Sequence, residues 1–124
     1  MRGTFQRMPT LRELADVIQQ RPGVHAVVIL GADGLVIEAH DPVHDYADAL
    51  AARVPAIATA ARQLGDAADT GTPQTIVLEF EHGYGVIIRL SDQASLLVSA
   101  ANTVALGDLL FDLRQHRTSM AKLL

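Results

Sequence analysis

The sequence predicts an α/β sandwich in which helices cover both faces of one antiparallel sheet. Three observations carry that prediction. Signals along the chain run helix, strand, strand, helix, three strands, helix. The strand at 24–30 is apolar on both faces, with Val24, Ala26, Val28 and Leu30 opposing His25, Val27 and Ile29, so cover is needed on both sides. Hydrophobic residues fill 49% of the 124 positions but aromatics only 4%, so the core must be built from Ala, Val, Leu and Ile.

Each element has its own signal. Thr10 followed by Glu13 is a capping-box pattern after Pro9. Leu11, Leu14, Val17 and Ile18 continue it at helical spacing until Arg21-Pro22-Gly23. After the strand at 24–30, Gly31-Ala32-Asp33-Gly34 supplies hairpin-turn chemistry, and a strand at 35–40 returns with Leu35, Ile37 and Ala39 on one face. Asp41 before Pro42, or Asp45, caps a second helix reaching about Leu64. Pro55 inside it should kink it or break its register, at about 3 kcal/mol unless packing absorbs the cost. Residues 65–73 read as a surface loop. Three strands follow at 74–81, 84–90 and 94–100, joined by two- or three-residue turns as a meander. Asn102 or Thr103 then caps a last helix with Leu106, Leu109, Leu110 and Leu113 as its buried stripe, and the chain after His116 should fray. The whole of 1–124 reads as one domain with a core at about 10–117.

The second helix has too little polar surface. Tyr46, Leu50, Val54, Ile57, Ala61 and Leu64 form a stripe expected on the sheet. Beside it run Ala49, Ala52, Ala56 and Ala60, bordered by Arg53. Helix propensity alone accounts for such a row. Small side chains also let a second helix approach closely, as a self-association seam requires. The strand that follows should be a sheet edge and carries Ile76, Val77 and Leu78, an aggregation hazard unless another chain pairs with it. Glu79 and Glu81 could be its protective charges. Helix and edge together favour a two-fold dimer through Ala49, Ala52, Arg53, Ala56, Ala60, Ile76, Val77, Leu78 and Glu79. Such an interface buries on the order of 1,600 Å².

Several local signatures in this order carry a resemblance. They are Pro22-Gly23-Val24 with Val28, the hairpin Gly31-Ala32-Asp33-Gly34-Leu35-Val36-Ile37, and the Ala-rich helix holding Leu50 and Ile57. Leu96-Leu97-Val98 and then Asn102 to Leu110 complete the set. Over about 10–117 the chain resembles the roadblock/LC7 domain family, in its bacterial MglB-like branch. The resemblance implies a profilin-like fold with a five-stranded antiparallel sheet in order 2-1-5-4-3. It also implies homo- or heterodimers through the second helix and third strand, and a role as regulator or scaffold for Ras-like small GTPases. It maps no catalytic residue.

The chemistry searched for elsewhere is thin. A net charge of -4 and scattered basic residues argue against nucleic acid as a partner. No cysteine is present, which excludes disulfides, thiolate metal sites and a Cys nucleophile. No run is long and apolar enough for a membrane span or a signal peptide, so a cytosolic protein is expected. Gly83-Tyr84-Gly85 leads into a strand, and no phosphate-cradling glycine loop enters a helix, so no nucleotide cofactor is expected and the chain is not itself a GTPase. His40, Asp41, His44 and Asp45 are the best metal candidates, but Pro42 spoils same-face geometry and no metal is expected. A Ser-His-Asp set can be assembled on paper without a Gly-x-Ser-x-Gly elbow, and His25 and His82 read as a partly buried strand residue and a turn residue. Arg53 or Arg62 could act in trans on a bound GTPase, although an exposed helical Arg is more often a solubilising charge. The expected function is that of a non-catalytic regulator. The alternative is a small-molecule sensor with the loop 65–73 as a lid over a site between sheet and helix.

Overall fold

Thr10 opens the first helix as its spacing predicts. Its Oγ1 accepts the Glu13 N–H at 3.1 Å while the Glu13 carboxylate accepts the Thr10 N–H at 2.9 Å. The computed structural model describes residues 8–124. In chain order the elements are α1 (Leu11–Gln19), β1 (Val24–Gly31), β2 (Val36–His40), α2 (Ala47–Ala67), β3 (Thr75–Phe80), β4 (Gly83–Ser91), β5 (Ala94–Ala101) and α3 (Leu106–Lys122). The strands form one antiparallel sheet in order β2-β1-β5-β4-β3.

Side-chain alternation divides the core into two layers. Val27, Ile29, Val86, Ile88, Leu96 and Val98 pack against α1 and α3 through Ile18, Leu109 and Leu113. On the opposite face Val28, Leu30, Ile87 and Leu97 pack against Ala47, Ala51 and Val54 of α2. Leu50 and Ile57 of α2 pack at the border of this second layer.

Six local expectations are revised. The face Leu35, Ile37 and Ala39 does not exist as such: the ladder shifts register between Ile29 and Leu30, so Ile37 is bulged out of the pairing. Val36 and Ala39 then turn towards α2, whereas Glu38 and His40 turn towards α1, within 4 Å of Arg12 and Asp16. Neither Asp41 nor Asp45 heads α2. The Asp41 carboxylate accepts the N–H groups of His44 and Tyr46, tying down the preceding turn, and Asp45 takes a positive φ of 58°. The helix starts at Ala47 without a side-chain cap.

The α2 stripe lies on the sheet only in its middle, where Val54 is buried and Leu50 and Ile57 pack beside it. Tyr46 and Leu64, expected on the sheet, are 56% and 71% exposed. The β1–β2 turn packs closely on the middle of the helix, where a Cβ on Gly34 would sit 3.1 Å from Pro55 Cγ and 3.3 Å from the Ala51 carbonyl oxygen. Pro55 cannot donate to the Ala51 carbonyl, and Gly34 packs against that oxygen.

The last three revisions concern helix ends. The loop expected to begin at Gly65 begins three residues later, because α2 continues to Ala67. It is closed by the Thr70 N–H donating to the Gly65 carbonyl at 2.8 Å. Neither Asn102 nor Thr103 caps α3; Ala105 does, without a side-chain bond. The helix does not fray after His116 either, since Met120 is fully buried and Leu123 packs beside it.

Candidate functional site

The crest of α2 remains outside the sandwich. Ala49, Ala52, Arg53, Ala56 and Ala60 are all exposed, on the side of the helix turned away from the sheet. A 21-residue helix that meets the sheet mainly through Ala47, Ala51 and Val54 leaves this methyl-studded ridge to solvent.

β3 lies at the sheet edge, as its place after the long helix predicts. The Arg89 N–H donates to the Gln74 carbonyl at 3.0 Å, so Gln74 faces Arg89 across a hydrogen-bonded pair. Alternation along an antiparallel ladder then makes Ile76, Leu78 and Phe80 bond inward to β4, and turns the N–H and C=O of Thr75, Val77 and Glu79 outward. No strand of the described residues pairs with that outer side. Val77 is 39% exposed and Phe80 58%, so the open edge is apolar as well as unpaired. Arg117 of α3 holds the start of this strand, donating at 3.1 Å to both the Gln74 carbonyl and the Thr75 hydroxyl.

Between ridge and edge runs an open groove of about 610 Å³. One wall is the flank of α2 carrying Leu50, Arg53 and Ile57; the other is formed by Leu78, Phe80 and Tyr84. The groove exists because Gly85 and Ser99 stand side by side where large residues would have filled it.

The nine expected seam residues therefore do not form one continuous patch within a single chain. The alanines lie on the crest, Ile76 and Leu78 lean under α2, and Val77 and Glu79 belong to the opposite face of the sheet. Only Arg53 and Leu78 share the groove. Leu50, Ile57 and Phe80 were not anticipated there. The alternation 76, 78, 80 beside glycines at 83 and 85 is the signal that points to them.

Titratable groups are dispersed. The His40 imidazole lies 3.7 Å from an Asp16 oxygen and 3.8 Å from one of Glu38, whereas His44 stacks on Tyr46 with ring centroids 4.8 Å apart. No group of three or more His, Asp or Glu side chains among the described residues is gathered to hold a metal. His25, expected partly buried, is exposed at the groove with His82. Burial lowers the pKa of His116 from its ordinary 6.5. Among the described residues no helix is long and apolar enough to cross a membrane.

Comparison with known proteins gives one consistent result. The family model described as Roadblock/LC7 domain matches residues 10–100. A roadblock/LC7 domain from Streptomyces avermitilis superposes with a TM-score of 0.81 at 25% identity, over 90% of this chain and 94% of that one. Myxococcus xanthus MglB superposes with a TM-score of 0.83 at 13% identity, over 91% and 93% of the two chains. The gliding protein MglB of Thermus thermophilus does so at 0.81 and 17% identity, over 99% and 97%. No curated protein matches the chain in sequence.

Proposed function

The chain belongs to the roadblock/LC7 family, and from that premise we propose that it is a non-catalytic, dimeric regulator or scaffold for a Ras-like small GTPase in the cytoplasm. The family is regulatory rather than catalytic. The observation that carries the proposal is the open apolar edge of β3 beside the exposed alanine crest of α2.

In this reading two copies meet about a two-fold axis. Each β3 supplies the outward N–H and C=O groups of Thr75, Val77 and Glu79 to the other, and the sheet continues from one protomer into the next. The two α2 ridges then approach at their alanines, where no long side chain holds them apart. The seam residues that are scattered within one chain become contiguous across the pair. Leu78 and Phe80 lose their exposure, and Arg53 sits where it can face a second protein.

A dimer of this kind offers a GTPase a wide, rigid, two-fold surface and no active site of its own. It can bias the GTPase's switch segments only by binding one nucleotide state better than the other. The test is co-migration on gel filtration with a Ras-like GTPase from the same genome. The GTPase is loaded in turn with a GTP analogue and with GDP. A complex that forms with the GTP analogue and is weaker with GDP is the expected result. Failure to bind any such GTPase in either state contradicts the proposal.

A further inference from the structure

α2 has a second flank, and it covers a different cleft. Pro55, Thr59 and Arg62 overhang the end of the sheet where β1 and β4 finish and β5 begins, above a partly open cleft of about 280 Å³. The segment 72–74 closes one side.

The floor has two ranks. Ile76 and Ile87 are paired across β3 and β4 and lie under Val54. The next rank towards the mouth is polar, with Arg89 directly opposite Ser95 on β5 and Ser95 opposite Leu30 on β1. The charges are unequal in their commitments. The Arg89 guanidinium is paired with the Asp92 carboxylate at the β4–β5 turn. Arg62 has no hydrogen bond or ion pair among the described residues. The cleft thus presents one uncommitted positive charge and hydroxyl groups at its mouth, with aliphatic carbon below.

We propose that this cleft binds a small aliphatic monocarboxylate, its charged end held by Arg62 and the Ser95 hydroxyl and its hydrocarbon lying on Ile76 and Ile87. A phosphate-like dianion fits less well, since Asp92 already neutralises the charge of Arg89 and would repel a second negative charge. A neutral ligand leaves Arg62 unused. The site lies on the flank of α2 opposite Leu50, Arg53 and Ile57, and its ligand chemistry does not depend on the proposed GTPase. It gives the protein a means of responding to a metabolite at the same helix that carries the dimer ridge.

The test is an amide NMR titration of the full chain with hexanoate and, separately, with its neutral isostere hexanamide. Hexanoate should shift the amides of Ile76, Ile87 and Ser95 saturably, and hexanamide should bind about tenfold more weakly. Arg62→Met keeps most of the stem and removes the charge; it should weaken hexanoate about tenfold and leave hexanamide unchanged. Ala58→Phe, which fills the cleft from α2, should abolish both. Equal affinity for the two probes overturns the proposal, as does an Arg62→Met variant that binds hexanoate normally. So do shifts confined to Phe80 and Tyr84, or no saturation below about 10 mM in a well-dispersed wild-type spectrum.

Discussion

Gly65 is buried within α2, and a Cβ added there would overlap the carbonyl oxygen of Gly71. Helix propensity alone predicts that Gly65→Ala stabilises by about 1 kcal/mol. The backbone overlap reverses the sign, and a net loss of about 1–2 kcal/mol is expected in urea denaturation. Nothing in the sequence around Gly65 reveals this, because Gly71 reaches it only after the chain has turned through Asp69, at φ 60°, and Gly71, at φ 86°. His116 makes a second prediction at this scale. Burial holds its folded pKa below the unfolded value, so the unfolded chain takes up the proton first as pH falls. Stability contributed by neutral His116 is present above pH 6.5 and is lost as pH falls from there through the lowered folded pKa. His116→Gln should flatten the dependence of unfolding free energy on pH between neutral and mildly acidic buffer. An unchanged slope would mean that another group sets it.

Among the elements, those whose ends were misplaced are those whose ends are fixed from a distance. Asn102 and Thr103 have the right chemistry to cap α3, yet the helix starts at Ala105. Val104 donates to the Ala101 carbonyl at 3.1 Å and packs on Gly23, whose φ is 89°, so tertiary contact sets the start. By contrast the capping box of α1 and the Gly31–Gly34 turn are local and were legible. The order of the strands was legible through resemblance, not through periodicity. The bulge at Ile37 was not, because alternation is indifferent to one extra residue until the partner strand is known. The tie between α3 and β3 yields a test of this scale. Arg117→Met removes two hydrogen bonds to the start of the edge strand. It should cost about 1–2 kcal/mol and speed amide hydrogen exchange in β3 more than in β1 or β5. Uniform acceleration across the sheet would argue against a local clamp.

At the scale of the molecule, the candidate site was half legible. An alanine row at helical spacing and an apolar run after it were readable as surface without water's company. Their arrangement on different faces of one chain, with a groove between them, was not readable, since it depends on where α2 packs across the sheet. Two substitutions separate the halves of the proposed interface. Ala56→Arg places a long cation on the ridge and should split the pair while the monomer stays folded. Val77→Pro removes an outward N–H without touching the β3–β4 ladder, and should weaken the pair through the sheet alone. Fold retention in both is checked by circular dichroism. Sedimentation equilibrium at micromolar concentration, on the unmodified chain beside Ala56→Arg, is the most direct measurement. The account predicts twice the chain mass of 13.3 kDa for the former and a single chain mass for the latter. An unmodified chain that sediments at 13.3 kDa would contradict it.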